Sequence, residues 1–209
     1  MYNSECKGVI YMKKTNNNTS KILNVSYMIT RVLEIGTYAL IGILSLVAIV
    51  FLVIPANTLV VSLDQMSDFE LMVNQISVAI SSLGLTGSIT LKWLVVLGTT
   101  FLVFSLLFAG VFLYHLRHII DLVKEDKPFL YENANRLYFM GKLTIVASIL
   151  IPIVSSLFLM YAFNLVGFQE ADINFMPNIT YLFVGFLLIV LGSVFEKGAY
   201  LQSEYDQTV

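Results

Sequence analysis

Trp93–Leu116 reads WLVVLGTTFLVFSLLFAGVFLYHL, 24 residues without an Asp, Glu, Lys or Arg. Crossing a hydrocarbon core of ~30 Å takes roughly 20 consecutive apolar residues, and this stretch is long enough. Three others share the property: Ile35–Leu63, Leu143–Gln169 and Ile173–Phe195. The chain is 57% hydrophobic and 12% charged, against about 25% charged in soluble domains. These features predict an all-α, four-span transmembrane helix bundle, with spans at about 35–54, 94–113, 143–163 and 177–195. Residues 22–209 form a single membrane domain, and membrane lipid is its first partner. Residues 1–21, polar and Asn-rich at Thr15–Ser20, read as a disordered cytoplasmic tail. Met12, followed by Lys13 and Lys14, is a plausible alternative start. The first apolar run lacks a cleavage pattern, so it is expected to stay as an anchor.

Basic residues near span ends remain on the cytoplasmic side. Eleven of the twelve fall on one side if both termini are inside: Lys7, Lys13, Lys14, Lys21, Arg31, Arg117, Lys124, Lys127, Arg136, Lys142 and Lys197, with Lys92 alone outside. The predicted topology is N-in and C-in. A net charge of -2 provides no basic surface for phosphates, so direct nucleic-acid binding is not expected. One cysteine, Cys6, excludes an internal disulfide and a cysteine-based zinc site.

The outer connection, Pro55–Lys92, carries Ser67 and Glu70 at capping-box spacing. Phe69, Met72, Val73, Ile76, Ala79, Ile80 and Leu83 follow at helical spacing, and Gly84 can close the turn. This predicts an outer amphipathic helix, lying on the leaflet or capping the bundle's mouth. On the inner side, Leu116, Ile119, Ile120 and Val123 continue the apolar stripe of span two until Asp126-Lys127-Pro128 breaks it. Pro128 suits the first turn of a new helix, on which Asn133, Leu137 and Gly141 share a face. The result is a cytoplasmic helical hairpin continuous with spans two and three. Pro152 should kink span three, Asn178 should cap span four, and Gly185 and Gly192 should face a neighbouring helix.

Candidates for chemistry are few. His115 and His118 fall one helical turn apart, followed by Asp121, and two imidazoles there could share a metal. No second ligand pair accompanies them, so no metal is assigned. Span centres hold no ionisable residue, which argues against proton-coupled or cation transport, although Thr99, Thr100, Ser148 and Asn164 could line a pore. Glu34 and Arg31, with Glu196 and Lys197, sit at the inner rim and read as solvated charges before a Glu–Arg pairing across that rim. HExxH, G-x-S-x-G, Walker A and G-x-G-x-x-G motifs are absent, so neither an enzyme nor a cofactor is expected.

Lys127-Pro128-Phe129, Glu132-Asn133, Arg136-Leu137 and Gly141 resemble the pattern PF…eN…rL…G. Phe195–Val209 resembles F-x-x-G-x-x-L-Q-x-E-x-D-x-T-V, carried by Gly198, Gln202, Glu204 and Asp206, with Gln207 where an aliphatic residue is commoner. Both patterns resemble the bacterial four-span membrane family called domain of unknown function 2975, from about Ile22 to Val209. That resemblance implies a multi-pass protein of the bacterial inner (plasma) membrane, often encoded beside a small helix-turn-helix regulator; the family defines no catalytic or ligand residue. The leading expectation is a regulatory or sensory protein whose cytoplasmic face binds such a partner through Pro128, Phe129, Asn133, Leu137, Gly141, Gly198, Gln202, Glu204 and Asp206; the other reading of the same motifs is that they pack together to close the bundle's inner end. The alternative is a small transporter, channel or peptide-immunity protein.

Overall fold

The computed structural model describes residues 4–55, 60–62, 70–73, 76–79, 88–125, 127–166 and 176–208. Four long helices dominate it: α1 (Ser4–Val53), α2 (Leu91–Lys124), α3 (Tyr131–Val166) and α4 (Ile179–Thr208). Each contains a segment long and apolar enough to cross a membrane, over Thr19–Val53, Lys92–Lys124, Tyr131–Asn164 and Ile179–Tyr205. The chain is a multi-pass integral membrane protein.

Two expectations change. α1 begins at Ser4, so residues 4–21, read as a disordered tail, are helical. Adding a residue to an existing helix is far easier than nucleating one, and the apolar helix that follows supplies the nucleus. The second change concerns the outer connection. Where an amphipathic helix was expected, the chain forms β2 (Glu70–Val73) and β3 (Ile76–Ala79), paired antiparallel with Leu71 opposite Val78 and Val73 opposite Ile76. Leu71 and Val73, and Ile76 and Val78, alternate at period two on either side of Asn74-Gln75, a pattern that the helical spacing of Met72, Val73, Ile76 and Ala79 passes over. β-branched Val73, Ile76 and Val78 favour the strand reading. β1 (Val60–Ser62) pairs antiparallel with β4 (Ser88–Thr90). The rest of the expected helix, Ser67–Phe69 and Ile80–Gly84, lies outside the described residues.

The chain divides into two compact units, one of residues 1–37, 110–143 and 185–209, the other of 38–109 and 144–184. In the second unit α1 stops before Pro55, and the Lys92 ammonium donates to the carbonyls of Leu52 (3.0 Å) and Ile54 (2.8 Å), occupying acceptors that the helix end leaves free. Pro152, fully buried inside α3, has no N–H for the carbonyl of Ser148. The backbone N–H of Asn178 takes that carbonyl instead at 3.0 Å. Its side-chain Oδ1 accepts from the N–H of Tyr181 at 3.2 Å, the expected cap of α4. A proline in a membrane helix is tolerated when a neighbouring segment re-satisfies the freed group, and Asn178 does so here. Phe101 stacks on Phe158 (6.2 Å, 6°), and an apolar groove of about 370 Å³ opens beside them, lined also by Thr100, Phe104, Leu157 and Tyr161.

Candidate functional site

The first unit holds both sequence motifs, that of the hairpin and that of the end of α4. Its core is Ile119, Leu137 and Met140, packed with Phe112, Leu116, Val123, Leu188 and Phe195. α2 ends at Lys124 and α3 starts at Tyr131, three residues after Pro128 rather than at it. Leu130 is the residue whose carbonyl accepts the first α3 amides, from Asn133 (3.0 Å) and Ala134 (3.3 Å). Leucine has no capping oxygen, and Asn133 compensates from inside the helix: its Nδ2 donates to the Pro128 carbonyl at 2.9 Å. Asn133 is 0% exposed, and its Oδ1 has no hydrogen-bond partner. Replacing Asn133 by Ala is expected to cost about 1–2 kcal/mol through the lost turn bond, read as a lower unfolding midpoint in detergent.

Glycines set how closely α3 and α4 approach. A Cβ on Gly141 would lie 2.7 Å from Ile189 Cγ1 and 2.8 Å from the carbonyl oxygen of Gly185; one on Gly192 would lie 3.1 Å from Tyr138 Cδ1. On Gly198 it would lie 2.5 Å from Phe129 Cδ1, and the Phe129 ring also meets Phe195 at 5.5 Å. Tyr138 donates to Glu196 at 2.8 Å, so Glu196, expected to be a solvated rim charge, is tied to α3. The sequence-predicted docking residues therefore separate into two groups. Asn133, Leu137 and Gly141 are buried, and Pro128 and Gly198 half-buried; all five hold the hairpin against α4 or close its turn. Phe129, Gln202 and Glu204 are exposed, while Asp206 lies on α4 with its side chain outside the described residues.

Around the exposed members lies a surface that the motif reading left out. Tyr131, Tyr200, Leu201 (63% exposed) and Tyr205 (70% exposed) present large apolar and aromatic groups beside Phe129 or along α4, and Tyr200 donates to Glu204. The electrostatic centre also differs from expectation. Glu34 is buried, and its Oε2 takes the Nε of Arg117 at 2.6 Å, with Asp121 3.8 Å from the same guanidinium. Lys124 lies 4.3 Å above the Tyr27 ring. A polar stripe of Tyr27, Thr30, Glu34 and Thr37 on α1 was the sequence signal for this packing.

The two histidines take different partners. Guanidinium is donor-only, so His115 Nδ1 accepts from Arg136 Nη1 at 3.3 Å, while Arg136 Nη2 also binds Glu132 at 2.6 Å. His118 Nδ1 faces the carbonyl of Tyr114 at 2.9 Å. A cation beside His115 opposes a second cation there, and no cluster of three metal-ligating side chains occurs among the described residues.

A family model described as protein of unknown function (DUF2975) matches residues 86–209. The chain belongs to the DUF2975 family. No curated protein and no solved structure matches it. The matched segment contains α2, α3 and α4 with the whole hairpin, and α1 precedes it. Thus, of the residues through which this DUF2975 chain resembles its family, Leu137, Gly141 and Gly198 pack the hairpin against α4.

Proposed function

We propose that this DUF2975 protein is a regulatory protein of the bacterial plasma membrane, whose cytoplasmic face binds a soluble helix-turn-helix regulator. Both termini and the hairpin belong to one compact unit, which contains eleven of the twelve basic residues. That grouping supports the N-in, C-in orientation. Counting roughly 20 residues of span from Ile179 places Gly198–Thr208 beyond the hydrocarbon. The single observation that carries the reading is the exposure of Tyr200, Leu201 and Tyr205 on this segment. Aromatic residues on a surface outside the bilayer, rimmed by Glu204, have the make-up of an interface core with a polar rim. Buried Asn133, Leu137 and Gly141 would act by holding that surface in shape. The partner would be held at the membrane and released when the helices repack. No enzymatic step is part of this reading.

The groove of the second unit is lined by apolar and aromatic groups, with the Thr100 hydroxyl turned back to the Val96 carbonyl at 2.7 Å, which gives a hydrophilic solute little to bind. The test is a crosslinking pull-down with this protein from native membranes, the expected captured partner being a soluble helix-turn-helix protein. Leu201→Glu with Tyr205→Ala should reduce capture about tenfold or more, in line with loss of an interface anchor, while expression and membrane insertion stay unchanged. Undiminished capture by this pair would remove the proposed surface.

A further inference from the structure

His115 is paired in a way that only one of its charge states permits. It lies on α2, and its Nδ1 meets Nη1 of Arg136 on α3 at 3.3 Å. A guanidinium has five N–H donors and no acceptor, so the ring nitrogen that faces it must offer a lone pair. His115 is therefore neutral in this arrangement, with its proton on Nε2. Imidazole is the side chain whose ordinary charge change falls between about pH 5 and pH 8, and half-buried His115 is within reach of water. Once protonated, it carries donors on both nitrogens. The bond to Arg136 is then lost, and two cations stand where a donor met an acceptor.

The surroundings give neither group an easy alternative. The His115 ring is flanked by Phe139 of α3, with centroids 4.6 Å apart, and by Tyr114 of its own helix at 5.4 Å. The Arg136 side chain is only 16% exposed, and its Nε is buried without a hydrogen-bond partner. Its remaining partner is Glu132, which takes Nη2 at 2.6 Å and offsets one positive charge, not two. The other titratable group beside His115 is His118, whose charge would add to the repulsion. Among the described residues no carboxylate pairs with the His115 ring. The bond that would break joins α2 to α3, the two arms of the hairpin, which also share the apolar core of Ile119, Leu137 and Met140. All of these groups belong to one compact unit. Because the folded arrangement needs the neutral ring, the bond's contribution is present above the pH at which His115 titrates and is lost as the pH falls through it.

We propose that His115 and Arg136 form a pH-sensitive latch of the hairpin: the neutral imidazole holds α3 on α2, and its protonation loosens the two arms. The latch needs no partner protein and stands whether or not Leu201 and Tyr205 bind one. The test uses the whole protein in detergent micelles with one cysteine, Ile119→Cys in a Cys6→Ser background. Labelling of that buried position by a thiol reagent reports how often the arms open. Each rate is divided by that of the denatured protein at the same pH, which removes the thiol's own ionisation. Between about pH 7.5 and pH 5 the normalised rate should rise about fivefold or more, the weight of one net hydrogen bond. His115→Gln keeps a neutral acceptor that cannot gain a charge, so it should label slowly at both pH values, while His118→Gln should retain the rise. Unfolding midpoints of the same histidine variants without Ile119→Cys give a second reading: acid should lower the parent's midpoint more than that of His115→Gln. A rate that does not change with pH in the parent, an equal acid response in His115→Gln, or loss of the response in His118→Gln alone would each overturn the proposal.

Discussion

Glu34→Ala is expected to lower stability by about 3 kcal/mol, the lower end of the range for removing one partner from a buried ion pair. Its carboxylate and the Arg117 guanidinium meet at 2.6 Å with side-chain exposures of 10% and 22%. Truncating Glu34 leaves Arg117 no close carboxylate: Asp121 stands at 3.8 Å, where only screened attraction remains, beside the neutral Tyr27 hydroxyl and the Tyr114 ring. The cost comes chiefly from the stranded charge rather than from the pair's net worth. Glu34→Met combined with Arg117→Met should therefore recover most of the loss, because apolar groups of similar volume often replace a buried pair without penalty. Titrating purified protein with denaturing detergent reads both variants. A double variant as unstable as Glu34→Ala would contradict this account.

Gly141→Leu should be the most damaging change between α3 and α4. Even the Cβ of Gly141→Ala would meet the Gly185 carbonyl oxygen at 2.8 Å and the Ile189 amide nitrogen at 3.1 Å, and backbone atoms cannot turn aside as a side-chain tip can. Overpacking of this kind costs about 1–3 kcal/mol for small additions and more for large ones, so Ala is expected in that range and Leu above it. Gly42, whose added Cβ meets nothing within 4 Å, is the internal control, and Gly42→Ala should leave the unfolding midpoint unchanged or raised. If both alanine variants behave alike, close helix approach is not what Gly141 provides.

Some of this was legible beforehand. Four uncharged stretches became the membrane-crossing parts of four helices, Asn178 became the cap of α4, and Gly185 and Gly192 face α3. The hairpin is continuous with two spans, as its unbroken apolar stripe implied. The outer connection misled because the helical set omitted Leu71 and Val78, which alternate with Val73 and Ile76 and pair across β2 and β3. The hairpin motif left two readings open. Asn133, Leu137 and Gly141 share one helical face, but a face shared in sequence does not say whether α4 or a partner covers it. Leu201, itself a position of the second pattern, and Tyr205 were not counted among the docking residues, because their exposure cannot be read from the pattern.

Membrane insertion and the number of crossings were decided by the sequence alone, because transfer into hydrocarbon is a property of each segment by itself. Charge placement along the chain likewise carries orientation without reference to any contact. Pairings between distant segments are another matter. Glu34 meets Arg117 across 83 residues, and the carbonyl freed by Pro152 finds the amide of Asn178. Such meetings depend on how far each helix is rotated and shifted against its neighbour, which no local pattern encodes. Only the tertiary structure could decide which polar groups were satisfied inside the protein and which apolar ones, on α1 and at the end of α4, remained turned outward.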